Sequence, residues 1–91
     1  MPFTPELQQR AADFLRRTIP AELQPQYVAG SMADIIVTRC AQNEPLDPEL
    51  REIAEISAGE YDYAIAKAQS DELKAYYAEC QCLLREIIEA S

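Results

Sequence analysis

Ser70-Asp-Glu-Leu-Lys-Ala-Tyr-Tyr-Ala-Glu-Cys-Gln-Cys-Leu-Leu-Arg-Glu-Ile-Ile-Glu-Ala-Ser91 is the stretch whose reading decides the fold. Leu73, Tyr76, Tyr77, Cys80, Leu83, Leu84, Ile87 and Ile88 recur at spacings of three and four, which sets them on one broad stripe of an α-helix. Ser70 stands at the N-cap position, and Asp71 and Glu72 fall in the first turn, against the positive end of the helix dipole. The stripe is wider than the two-per-heptad seam of a coiled coil, so it reads as a core face that other helices must cover.

Working back along the chain, the same grammar recurs. Thr4-Pro5-Glu6-Leu7 and Asp47-Pro48-Glu49-Leu50 each read as cap, first-position proline, carboxylate and leucine. The first predicts a helix over 5–18 with Leu7, Ala11, Phe14 and Leu15 inward, and with Arg16 and Arg17 in its last turn complementing the dipole. The second predicts a helix over 48–69 whose core stripe is Leu50, Ile53, Ala54, Ser57, Tyr61, Ala64, Ile65 and Ala68. Between them, Ile19-Pro20 ends the first helix. A further helix runs over about 25–42 with Val28, Ala29, Met32, Ile35, Ile36 and Cys40 as its main face. Arg39 falls within that face, where its stem can pack while the guanidinium reaches water or an acidic neighbour. The junction before Ser70 holds neither glycine nor proline, so a break and one long kinked helix both fit the pattern. No segment alternates with a period of two for long enough to make a strand. The expected architecture is all-α, a single-domain up-and-down bundle of about four helices spanning 1–91, with the last helix central.

Composition narrows the chemistry. At 48% apolar and 26% charged, the chain is that of a folded globular domain. Neither a spanning apolar run nor a basic-then-apolar leader is present, which removes a membrane helix and a secretory signal from the expectation. The net charge of −8 is uneven: residues 1–45 hold five acidic groups against four basic, and residues 46–91 eleven against four. Phosphate backbones and anionic membranes require clustered Lys and Arg, so nucleic acid and membrane surfaces are not expected partners. The acidity favours solubility and leaves room for a basic protein partner. Three cysteines are an odd number, which argues against a disulfide framework and for a reducing cytoplasm.

Histidine is absent, which removes the usual general base and the imidazole ligand. Neither glycine belongs to a phosphate-cradling loop. Cys80 and Cys82 lie about 200° apart around a helix and cannot readily chelate one ion there. Cys80 reads as a small buried hydrophobe and Cys82 as an outward, reactive thiol. The carboxylates fall on polar faces: Glu49, Glu52 and Glu55 on the third helix, and Glu86 and Glu89 on the fourth. Catalytic residues, metal ligands and cofactors are accordingly not expected, and the chain is not read as an enzyme.

What remains is a surplus of apolar positions. Ile56, Gly59 and Tyr63, with Ala66, share a side of the third helix away from its core stripe. Tyr27, Gly30, Val37 and Ala41 do the same on the second helix. Tyrosines and small residues suit interfaces, and a helix-interior glycine costs about 1 kcal/mol relative to alanine unless a backbone must approach closely. Ile56, Gly59 and Tyr63, then Tyr27 and Val37, are the expected contact residues of a non-catalytic interaction module. That module would be a small acidic adaptor, regulator or inhibitor-like protein, self-associating as a homo-oligomer. The competing expectation is a thiol- or metal-responsive regulator working through Cys82 and its neighbours.

Overall fold

Thr4, Asp47 and Ser70 begin three of the helices by the same device. Thr4 Oγ1 accepts from the Leu7 amide at 3.1 Å, Asp47 Oδ1 from Leu50 at 2.8 Å, and Ser70 Oγ from Leu73 at 3.1 Å. Each side chain satisfies an amide that the helix leaves without an internal partner. The computed structural model describes residues 3–17 and 32–91. Its helices are α1 (Pro5–Leu15), α2 (Met32–Ala41), α3 (Pro48–Lys67) and α4 (Asp71–Ala90). No strand forms among the described residues.

The helix ends are equally explicable. Asn43 carries a φ of 57°, and Glu44 N donates to Arg39 O at 2.8 Å while Asn43 N donates to Cys40 O at 3.0 Å. That pair of bonds is a Schellman cap, with asparagine in the left-handed position that glycine usually fills. α3 stops because Ala68 turns to an extended ψ of 138° and Ser70 then caps the next helix. The chain therefore breaks at 68–70, and α3 and α4 are separate helices. α1 ends at Leu15, earlier than expected, so Arg16 is its C-cap and Arg17 lies beyond it.

Contacts between α3 and α4 pair Tyr61 with Tyr77 and Ala58 with Gln81, so the two run antiparallel. α1 is antiparallel to α4 through Arg10 with Glu86 and Arg17 with Glu79. The end of α2 meets the start of α1, where Cys40 Sγ donates to Leu7 O at 3.9 Å. The result is an all-α bundle in which α2 and α4 each touch all three other helices, while α1 and α3 do not touch. Two 20-residue helices of about 30 Å each set most of its 38 Å length.

Seven of the eight positions of the α4 stripe are buried, Leu73, Tyr76, Tyr77, Cys80, Leu83, Leu84 and Ile87, and Ile88 is partly buried against them. They close on Phe3, Leu7, Ala11 and Phe14 from the N-terminal end, and on Ala54, Ala58, Tyr61 and Ala64 from α3. Phe14, Tyr76, Tyr77 and Tyr61 form a chain of ring contacts, with centroids 5.1, 6.3 and 5.7 Å apart, crossing from α1 through α4 to α3. Tilted and edge arrangements of this kind are the favourable ones for aromatic quadrupoles.

α2 departs from the expectation. Its buried face is Ala33, Ile36, Val37 and Cys40, while Met32 and Ile35 are exposed. The buried arc is rotated by about 80° from the expected one, at ~100° per residue. The expectation leaned on Val28 and Ala29, which lie outside the described residues, and on one dominant face. A helix touching three neighbours instead buries whichever arc faces their common axis.

Candidate functional site

α3 presents two opposed faces. Ala54, Ala58, Tyr61 and Ala64 face the core. About 150° round the same helix, at ~100° per residue, lie Ile56, Gly59 and Tyr63. Ile56 is 58% exposed and Tyr63 68%, the two most exposed large hydrophobic residues among those described. Their spacing of seven brings them to one side, two turns apart, with Gly59 between them.

Among the described residues nothing explains the glycine. A Cβ built on Gly59 would meet none of them within 4 Å. No close helix crossing forms there among the described residues, so the helix carries a cost of about 1 kcal/mol at this point with no return from them. One residue earlier, the backbone is well held. Gln81 Nε2 on α4 donates to Ala58 O and to Asp62 Oδ1, both at 2.8 Å, which fixes this part of α3 to the bundle. Lys67 Nζ sits 5.6 Å from the Tyr63 ring centroid, close enough for a cation–π contact that orients the exposed ring.

The remaining expected contact residues do not join this face. Val37 is fully buried, packed in the core by the rotation of α2, so it is not a surface residue. Tyr27, with Gly30, lies outside the described residues. Ala66 is exposed on the Ile56 side, as its spacing requires.

The cysteines divide as the helical period demands. Cys40 and Cys80 are buried, and burial pushes each thiol up to about 11, with a hydrogen bond from Tyr61 opposing the shift at Cys80. Cys82 is exposed and its Sγ donates to Glu86 Oε2 at 3.7 Å. No group of three or more potential ligands converges on a metal position among the described residues. Among the described residues, no helix is long and apolar enough to cross a membrane.

Two contacts were not legible in the sequence. Arg10 forms a two-pronged ion pair with Glu86, at 2.7 and 2.6 Å, and Glu86's carboxyl is held below its ordinary range chiefly by that hydrogen bond. Arg17 pairs with Glu79 and lies 5.6 Å from the Tyr76 ring centroid. Arg17 and Glu86 are thus tertiary tethers between α1 and α4, where a dipole role and a solvent role were expected. Arg16 pairs with its own helix, at Asp13. Arg39 is 40% exposed at its side chain and reaches Glu44 at 4.0 Å, within its own Schellman cap.

Of the grooves, one of about 400 Å³ is lined by Thr4, Glu6, Leu7, Arg10, Glu86, Glu89 and Ala90, and another of about 630 Å³ by Leu46, Pro48, Arg51, Glu52, Glu55 and Ser91. Both are open and have several charged side chains in their lining, unlike the enclosed, predominantly apolar pockets that hold small molecules. The class that fold and surface define is therefore a small helical bundle with a solvent-facing apolar seam on α3. Compared with protein-family models, curated proteins and solved structures, the chain has no match.

Proposed function

We propose that the chain is a non-catalytic protein–protein interaction module, a small acidic adaptor or regulator that works by burying the outward seam of α3. The observation that carries this reading is the pair Ile56 and Tyr63, exposed to 58% and 68% on either side of a glycine that no described neighbour requires. Tyrosine at the centre of a buried patch is a common source of binding energy, and a missing side chain beside it admits a close-packed partner. The odd cysteine count supports a reducing cytoplasm as its setting. Self-association is a second form of the same reading, since a two-fold contact requires only one patch per copy. The thiol-responsive alternative rests on Cys82, the exposed cysteine.

Light scattering of the purified protein, and capture from its native cells with wild type and variants, test the reading. Tyr63→Glu should leave the melting temperature unchanged and abolish association or capture. Gly59→Ala should raise stability by about 1 kcal/mol, from helix propensity alone, while weakening association because the new methyl enters the contact. A monomer whose capture profile is indifferent to both substitutions would refute the interaction reading.

A further inference from the structure

We infer that the occupant of the α3 seam is a basic amphipathic helix from a different protein rather than a second copy of this chain. The inference rests on the interaction reading above and supplies the partner's chemistry. α3 carries five carboxylates against two cations, Arg51 and Lys67. Arg51 lies 4.0 Å from Glu55 on its own helix. Glu52 and Glu60 are exposed and fall within about 60° of the centre of the Ile56–Tyr63 seam, at ~100° per residue. The apolar strip is therefore flanked by Glu52 and Glu60 around Ile56, with Lys67 at its far end beside Tyr63.

That rim discriminates between occupants. Residues near a two-fold axis meet their own copies. A dimer centred on Gly59 would set Glu60 close to the Glu60 of the second copy, and like charges juxtaposed in an interface are costly. A helix flanked by Lys or Arg converts the same rim into attraction and gains in association rate as well. Its apolar residues would repeat at i, i+3 or i+4, and i+7 to match Ile56 and Tyr63, with a larger side chain over Gly59. From Glu52 to Lys67 the seam is about 22 Å long at 1.5 Å per residue, so the complementary helix has about four turns.

The test uses two synthetic helical peptides with one apolar face, flanked by lysine in one and by glutamate in the other. Each is titrated into the intact protein by fluorescence anisotropy, and the bound surface is mapped by amide chemical shifts. The lysine peptide should bind with shifts centred on Ile56, Gly59 and Tyr63, and at least about tenfold more weakly once salt shortens the screening length from ~10 Å to ~3 Å. Ile56→Ala combined with Tyr63→Ala should weaken it at least about tenfold while retaining the wild-type melting curve. Glu52→Lys combined with Glu60→Lys should transfer the preference to the glutamate peptide. Equal binding of both peptides, binding by neither, or shifts that map to another face would overturn the inference. So would a dimer by sedimentation that the Ile56→Ala, Tyr63→Ala protein cannot form; that result would leave the interaction reading standing. Loss of the interaction reading has a different signature, in which native capture ignores the seam altogether.

Discussion

Asn43 concentrates several constraints in one residue. It holds a φ of 57° so that the chain can leave α2 through a Schellman cap and turn toward α3. Asparagine tolerates that conformation better than other residues with a Cβ, and glycine tolerates it best. Asn43→Ala should lower stability by about 1 kcal/mol, the order of the left-handed penalty, whereas Asn43→Gly should be at least as stable as the wild type, both read from urea unfolding midpoints. Gly59 is the converse case. It occupies an ordinary helical position where alanine would fit, so its presence is unexplained by the packing of the described residues. The sequence showed that both glycines fall in predicted helices, but whether a Cβ at Gly59 has room depends on where the neighbouring helices lie.

At the scale of elements, the caps are the best-read feature of the chain. Thr4, Asp47 and Ser70 all accept the amide that a cap should accept, because capping is a relation among residues three apart and needs no tertiary information. Ser70 has a further consequence. With no glycine or proline at the junction, its hydroxyl and the extended Ala68 are what separate α3 from α4. Ser70→Ala should cost about 1 kcal/mol, the usual loss for a cap, and circular dichroism with amide exchange should show fraying confined to the first turn of α4. The α2 face differs from the periodic expectation for a related reason. Ten residues contacting three other helices offer several plausible apolar arcs, and the choice of Ala33, Ile36, Val37 and Cys40 belongs to the neighbours. Val37 consequently moved from candidate surface to core.

For the whole molecule, buried ionisable groups set the response to alkali. Cys40 and Cys80 are raised to about 11 by burial, and burial also raises Tyr76. A raised folded-state pKa means that the stabilisation is fully present below the ordinary thiol value and is lost as pH climbs through the folded value. Stability should therefore hold to about pH 8.5 and then fall, each thiol contributing at most about 1.4 kcal/mol per pH unit. Denaturant unfolding between pH 8 and 11 measures this, and Cys80→Ala should flatten the slope whatever it does to absolute stability. Acid acts on the opposite sign of group. Glu86 is lowered by Arg10, so its contribution is present above the ordinary carboxylate range and is lost as pH falls through the lowered value, but both side chains are well exposed and the pair is a minor, salt-screened support.

The sequence by itself determined the helical class, the three caps, the α4 core stripe and the two-faced character of α3. All are local or periodic properties, written in residues three, four and seven apart. Tertiary structure alone decided that α2 turns Val37 inward and that Arg10 and Arg17 bridge to α4. It alone also showed that none of the described residues occupies the space beside Gly59. Those outcomes depend on how four amphipathic helices share one axis, and such sharing joins residues as distant in the chain as Arg10 and Glu86. A periodic pattern states which faces a helix has, but the packing of its neighbours selects the face left to solvent.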